Sequence, residues 1–154
     1  MRNQQANTDT LDTKLLLKTL MAFKKGDFTA RLPTEWTGEA GKIADTLNDI
    51  IELNEQTAKE LERISRVVVR EGKITQRANV PAAGGSWVSL VDSTNDLIDD
   101  MARPTSEMAR VIGAVANGDL SQRMALDVEG RPLKGEFLRS VKIVNSMVDQ
   151  LGSF

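Results

Sequence analysis

The sequence predicts an all-α fold of three consecutive parallel four-helix coiled-coil bundles, formed by a homodimer and joined by continuous helices. Three observations lead to this prediction: a motif that recurs at a fixed period, apolar residues at helical spacing on both sides of it, and a short polar connector after each copy. A chain of 154 residues would ordinarily form one domain. The period divides it into units too small to build ordinary cores alone.

The recurring motif begins at Gly26, Gly72 and Gly118, so the period is 46 residues both times. The three copies read GDFTAR, GKITQR and GDLSQR. A period of this length indicates one supersecondary unit used several times. We therefore predict three repeats, at residues 10–55, 56–102 and 103–154, of which the middle one diverges most.

The segment before each motif predicts the first helix of a repeat. In the first and third repeats, apolar residues spaced by four and three mark one helical face: Leu16, Leu20, Phe23, Met108, Ile112 and Val115. The motif glycine then ends the helix, because it adopts a positive φ without a Cβ clash.

The middle repeat departs from this spacing. Its apolar stripe consists of Leu61, Ile64 and Val68, displaced by about one residue relative to the other repeats. Two interpretations stay open: drift in a degenerate repeat, or an alternation between two packing registers along continuous helices. In a dimer, the second interpretation requires this displaced stripe to face the bundle axis.

The connector after each motif glycine has two regularly spaced apolar residues, the second and the sixth after the glycine. We expect them to anchor an extended segment to a hydrophobic groove. The glycines and apolar residues assigned to this role are Gly26, Phe28, Leu32, Gly72, Ile74, Gly118, Leu120 and Met124. A connector of about a dozen extended residues can run back along a helix of roughly 15 residues, which makes the two helices of a repeat parallel.

The second helix of each repeat is predicted to begin near Gly38, Gly85 or Gly135, ten residues before an asparagine. Glu39 and Glu136 are expected to be helix-start acids that the helix dipole favours. The asparagines, Asn48, Asn95 and Asn145, are expected to hydrogen-bond the connector or a neighbouring helix.

The second helices carry apolar columns spaced four and three, which is the pattern of a coiled-coil seam. The predicted core residues on these helices are Ala44, Leu47, Ile51, Val91, Ile98, Met101, Val141, Val144, Val148 and Leu151. A parallel helix pair leaves much of such a stripe uncovered, and a second copy of the chain would close it. Since few helix breakers intervene, the second helix of each repeat is expected to continue into the next repeat, with a bend at Pro104.

Composition argues against catalysis and most ligands. The sequence has no cysteine and no histidine, its net charge is −2, and no run of about 18 apolar residues occurs. We expect no enzyme activity, cofactor, metal or small-molecule ligand, and no nucleic-acid or membrane contact from this segment. The segment is predicted to be cytoplasmic, whether its parent is soluble or membrane-attached.

The motif GDLSQRM at 118–124, Pro104 near the start of the preceding helix, and Gly135-Glu136 followed by Asn145 resemble the HAMP domain. Three such units resemble a tandem array of the kind found in soluble hybrid sensor histidine kinases. The resemblance implies a signal-relay and dimerisation module of a two-component sensor, with input and output domains of the same chain as neighbours. The alternatives are a passive coiled-coil spacer, or a linker of a chemoreceptor or nucleotide cyclase.

Overall fold

The computed structural model describes residues 7–154, which are mostly helical. The helices are α1 (Thr13–Lys24), α2 (Gly38–Ile64), α3 (Ser86–Ala116) and α4 (Gly135–Gly152), and a π-helical segment, Ser65–Arg70, directly extends α2. Two short strands, β1 (Asp127–Val128) and β2 (Arg131–Pro132), pair as an antiparallel hairpin. The chain divides into two compact units, the second of which is Asp92–Phe154.

The ends of the first helices follow from local chemistry. The Asp12 carboxylate accepts the amides of two first-turn residues of α1, which otherwise lack intrahelical partners. At the other end, Gly26 has a φ of 93°, and the amide of Asp27 reaches back to the Ala22 carbonyl at 3.0 Å. Gly118 ends α3 in the same way, with a φ of 83°. The predicted glycine stops are therefore confirmed.

The helices of the first repeat begin at the same end. Thr37, which precedes α2, donates its amide to the carbonyl of Thr8, which precedes α1, over 2.7 Å. The hydroxyls of the two threonines are 3.1 Å apart. Because the connector starts at the far end of α1 and finishes beside its beginning, α1 and α2 run parallel.

The predicted continuity of helices between repeats is confirmed. Helix α2 and the π-helical segment together cover Gly38–Arg70 without a break. Helix α3 continues through Pro104, which is buried inside it and not near the start of a separate helix. The Thr105 hydroxyl donates to the Met101 carbonyl at 2.8 Å, which adds a hydrogen bond beside the proline.

The π-helical segment accounts for the displaced stripe of the middle repeat. The buried first-helix residue lies seven positions before the motif glycine at Thr19 and Val111, but eight positions before it at Ile64. The amide after the motif glycine correspondingly bonds five residues back in the outer repeats and six back in the middle one. Leu61 and Val68 are half-buried, whereas Val69 is 77% exposed. The middle repeat thus holds one extra residue, which a wider π turn accommodates.

Close backbone packing marks the beginning of α2. A Cβ on Gly41 would lie 2.4 Å from the carbonyl oxygen of Trp36 in the preceding loop. Gly41 is buried, so no side chain fits there without moving that loop. This glycine lets the connector approach the first turns of α2.

The second unit has a compact apolar core between α3, its connector and α4. Val111, Met124, Val141, Val144 and Val148 form this cluster, and Leu120 and Leu133 pack against it. The hairpin was not predicted by the all-α assignment. It lies in the third connector, where Gly135 comes 17 positions after Gly118, whereas Gly38 comes 12 positions after Gly26.

The predicted seam residues differ in burial within the single chain. Ala44, Ile51, Ile64, Ile98, Val141, Val144 and Val148 are buried. Leu16, Phe23, Leu47, Leu61, Val68, Val91, Met108 and Val115 are half-buried. Leu20, Met101, Ile112 and Leu151 are exposed, so a place for them in a dimer core stays a prediction.

Candidate functional site: the connector attachments

The first and third connectors are each attached to the second helix of their repeat by an asparagine side chain. The Asn48 amide accepts the Leu32 N–H at 2.7 Å and donates to the Leu32 carbonyl at 3.0 Å. Asn145 makes the same two bonds with Met124, at 2.8 and 3.0 Å. A primary amide can pair with a peptide group in this way because it offers one acceptor and donors on the same side. The predicted role is confirmed for Asn48 and Asn145.

The clamped residues are also the deepest apolar residues of their connectors. Leu32 is 2% exposed and Met124 is 5% exposed, and Ala78 occupies the equivalent buried position in the middle repeat. The earlier anchors, Phe28, Ile74 and Leu120, are half-buried. Backbone pairing and side-chain burial therefore act at the same residue, which fixes the connector in one register along the helix.

The arginine of each motif organises the connector turn. Arg31, Arg77 and Arg123 each donate to the carbonyls one and three residues earlier in their own connectors. Arg31 also pairs with Glu55 of α2 at 2.8 Å, and Arg123 pairs with Asp149 of α4 at 2.7 Å. No role is predicted for this arginine from the sequence. Its recurrence in all three motifs was the signal that could have identified it.

The acid after the motif glycine stabilises a turn. The Asp27 carboxylate accepts both the amide and the hydroxyl of Thr29, at 3.0 and 2.6 Å, and Asp119 accepts both from Ser121. Hydrogen bonds from the threonine and serine hydroxyls lower the pKa of each carboxyl below its ordinary value. Lys73 replaces the acid in the middle repeat, so this turn lacks the same carboxylate acceptor.

A second attachment joins the first helix to the connector in the middle and third repeats. Arg63 donates to the carbonyl of the motif arginine at 3.0 Å, and Arg110 does so at 3.4 Å. Each of these arginines is held by an acid three residues earlier, Glu60 or Glu107, at 2.7 and 2.8 Å. The arginine hydrogen bonds lower the pKa of both glutamates. The connector thus has polar attachments on both neighbouring helices.

The remaining predicted acids take no part in these attachments. Glu39 and Glu136 are exposed and lie in the first turns of α2 and α4, where a negative charge complements the helix dipole. Glu136 lies 3.5 Å from Arg139 on its own helix. Within residues 7–154, no group of three or more acidic side chains is placed to hold a metal ion.

The second helices expose apolar residues at one recurring position. Ile50, Leu97 and Met147 each lie two residues after the recurring asparagine of their repeat, and Leu97 is 62% exposed. Isolated exposed apolar residues are normal on a protein surface. These three exposed residues are not scattered, because they recur at the same position of their repeats.

The comparisons with known proteins agree with part of this description. Residues 82–131 match the HAMP domain family. HAMP domains are non-catalytic signalling linkers of histidine kinases and chemoreceptors. The matched residues include parts of the predicted second and third repeats, and no solved structure matches the chain.

One curated relative has a related sequence. The methyl-accepting chemotaxis protein McpB of Pseudomonas aeruginosa is 32% identical over 59 residues, which are 38% of this chain. The match covers 9% of that protein's length. Of the helices within residues 7–154, none is long and apolar enough to cross a membrane.

Proposed function

We propose that this chain is a signal-relay and dimerisation module built from three tandem HAMP-like repeats, which passes conformational change between helical bundles. The observation that carries the proposal is the repeated attachment of a connector between two helices. Asn48 and Asn145 form equivalent clamps in the first and third repeats. Both asparagines lie outside residues 82–131, the part of the chain that matches the family. Equivalent contacts at equivalent positions favour equivalent units.

The proposed partner is a second copy of the chain in parallel register. The exposed column of Ile50, Leu97 and Met147, together with Met101 and Leu151, leaves each helix pair with an uncovered apolar stripe. A coiled-coil seam of this spacing is covered when identical helices pack around a common axis. Two copies of each helix pair would give the four helices of a bundle.

A charge introduced on this column tests the dimer. Leu97→Asp should convert a dimer into a monomer in sedimentation equilibrium, because a carboxylate would be buried at the seam without a partner. The matched control is Val69→Asp, which alters an even more exposed apolar residue that does not belong to the column. If both variants have the same oligomeric state, the column of Ile50, Leu97 and Met147 is not the dimer interface.

The direction of the two chains can be tested separately. The sequence has no cysteine, so Leu97→Cys creates a single thiol per chain. A parallel dimer in register brings the two thiols together and should form a disulfide-linked dimer under mild oxidation. Leu126→Cys, in the third connector, provides the control thiol away from the seam. If the chain sediments as a dimer but neither cysteine variant cross-links, the parallel arrangement is excluded.

For the parent protein, we propose a two-component sensor of the hybrid histidine kinase type, with this module in the cytoplasm between input and output domains. The match to a methyl-accepting chemotaxis protein favours a second candidate, the linker of a chemoreceptor. A nucleotide cyclase linker and a passive spacer are further alternatives. Insertion of the module between the sensor and kinase halves of a histidine kinase distinguishes relay from spacer: seam substitutions should alter output only if the module relays.

A further inference from the structure

We infer that the hairpin of the third connector is a latch that rests on α3 over its proline turn and stabilises the helix there. The hairpin is an addition to the repeat, since neither the first nor the second connector contains strands. It brings a segment of the connector against residues 100–104 of α3. The inference concerns the second unit alone and does not depend on dimerisation.

The hairpin lies beside a turn of α3 that lacks one backbone hydrogen bond. Pro104 has no N–H, so it cannot donate to the carbonyl of Asp100 four residues earlier. The proline ring is buried, and Val128 and Pro132 of the hairpin line the same cavity of about 230 Å³. The hairpin therefore lies on the side of α3 that carries the proline ring.

Two ion pairs of opposite polarity hold the hairpin in place. Arg103 of α3 contacts Glu129 at the hairpin tip over 2.6 Å. Asp100 of α3 contacts Arg131 of β2 over 3.4 Å. Asp100 and Arg103 are three residues apart and so share one face of the helix. Alternating charge on both elements fixes the register in which the hairpin sits.

The hairpin is short, and the two ion pairs that join it to α3 are exposed. Its turn places Glu129 at a φ of 51° and Gly130 at 76°, and the amide of Leu133 bonds the Leu126 carbonyl at 2.9 Å. An isolated two-stranded hairpin is marginal in water. Exposed ion pairs contribute little each and weaken in salt. Seated and released states are thus close in free energy, as a switchable contact requires.

Charge reversal tests the latch on the intact chain. Arg103→Glu places two carboxylates together, and Glu129→Arg places two guanidinium groups together. Each single variant should raise the hydrogen-exchange rate of the Leu133 amide roughly three- to tenfold. The amides of residues 105–108 should exchange faster by a comparable factor. The double variant R103E/E129R restores an ion pair and should return both sets of amides toward their original rates.

The outcomes separate a latch from a local contact. Arg139→Glu, which disrupts a similar exposed pair on α4, should leave both sets unchanged. Faster exchange at Leu133 without a change at 105–108 would overturn the latch, and so would unchanged exchange at Leu133 in both charge-reversal variants. If Arg103→Glu also exposes the core amide of Val141, the milder Glu129→Gln variant decides, with a smaller but parallel rise expected in the two sets.

Discussion

Removal of the Asn145 side chain should detach the third connector from α4. In Asn145→Ala, the N–H and the carbonyl of Met124 both lose their partners, while the Met124 side chain stays buried. A buried polar group left without a hydrogen bond costs about 1–3 kcal/mol. Since Asn145 is only half-buried and water can replace part of the loss, we expect about 2–4 kcal/mol for the two bonds together.

Amide exchange of Met124 measures this effect directly. A loss of about 2–4 kcal/mol corresponds to an acceleration of roughly 30- to 700-fold if the connector opens locally. Asn54→Ala is the matched control, because the Asn54 amide donates only to the Ile50 carbonyl in its own helix. That variant should change stability by less than about 0.5 kcal/mol.

If the Met124 amide exchanges no faster in Asn145→Ala than in the original chain, Asn145 does not hold the connector on α4. Asn145→Asp adds a finer test, because the carboxylate can still accept the Met124 amide but cannot donate to its carbonyl. Its effect should lie between those of the original residue and alanine at low pH, where the carboxyl is protonated. It should approach or exceed the alanine effect at neutral pH.

Three further substitutions and one deletion test other parts of the structure. Gly41→Ala should lower the free energy of unfolding, measured in urea, by about 1–3 kcal/mol, because the added Cβ meets a backbone oxygen. The control Gly113→Ala adds a Cβ that meets no other atom, so it should raise the free energy of unfolding by about 0.5–1 kcal/mol. The hydrogen bond from the Ser121 hydroxyl lowers the pKa of Asp119 below the ordinary value of 3.8. The ionised carboxylate therefore stabilises the fold at pH values above 3.8, and this stabilisation is lost as the pH falls through the lowered pKa. Asp119→Asn should therefore reduce the acid dependence of unfolding, and an unchanged pH profile would contradict this. Deletion of Val69 should convert the π turn to an α turn and raise the Tm seen by circular dichroism, and a lower Tm would show that the extra residue fits its surroundings better than a regular helix.

Much of the helical organisation could be predicted from the sequence because its signals are local. The second helices were predicted to begin near Gly38, Gly85 and Gly135, and they begin at 38, 86 and 135. Each of these glycines has a positive φ, so the turn that starts the helix depends on a residue type visible in the sequence. The asparagine ten residues later was likewise recognisable by its fixed distance from the glycine.

The features that were missed depend on geometry that residue spacing does not encode. The stripe of Leu61, Ile64 and Val68 has the same spacing whether an α turn or a π turn follows, so the displacement was visible but its cause was not. Glu129-Gly130 is a weak hairpin signal because its first residue must adopt a positive φ that glutamate seldom takes. The added length of the third connector indicated an insertion without indicating its structure.

The middle and third repeats both contain extra residues relative to the first, and the positions of these residues indicate what the unit requires. The middle repeat adds one residue between Ile64 and Gly72, which the π turn takes up, and one more between Ala78 and Gly85. The third adds its residues between Met124 and Gly135, and the hairpin takes them up. In both cases the buried first-helix residue and the buried sixth connector residue keep their places. The unit therefore requires that these two buried residues contact the second helix. The segments that connect them can vary in length. Such variable segments are the positions where one repeat can differ from its neighbour in stability without losing the shared fold, which is the property that the proposed relay needs.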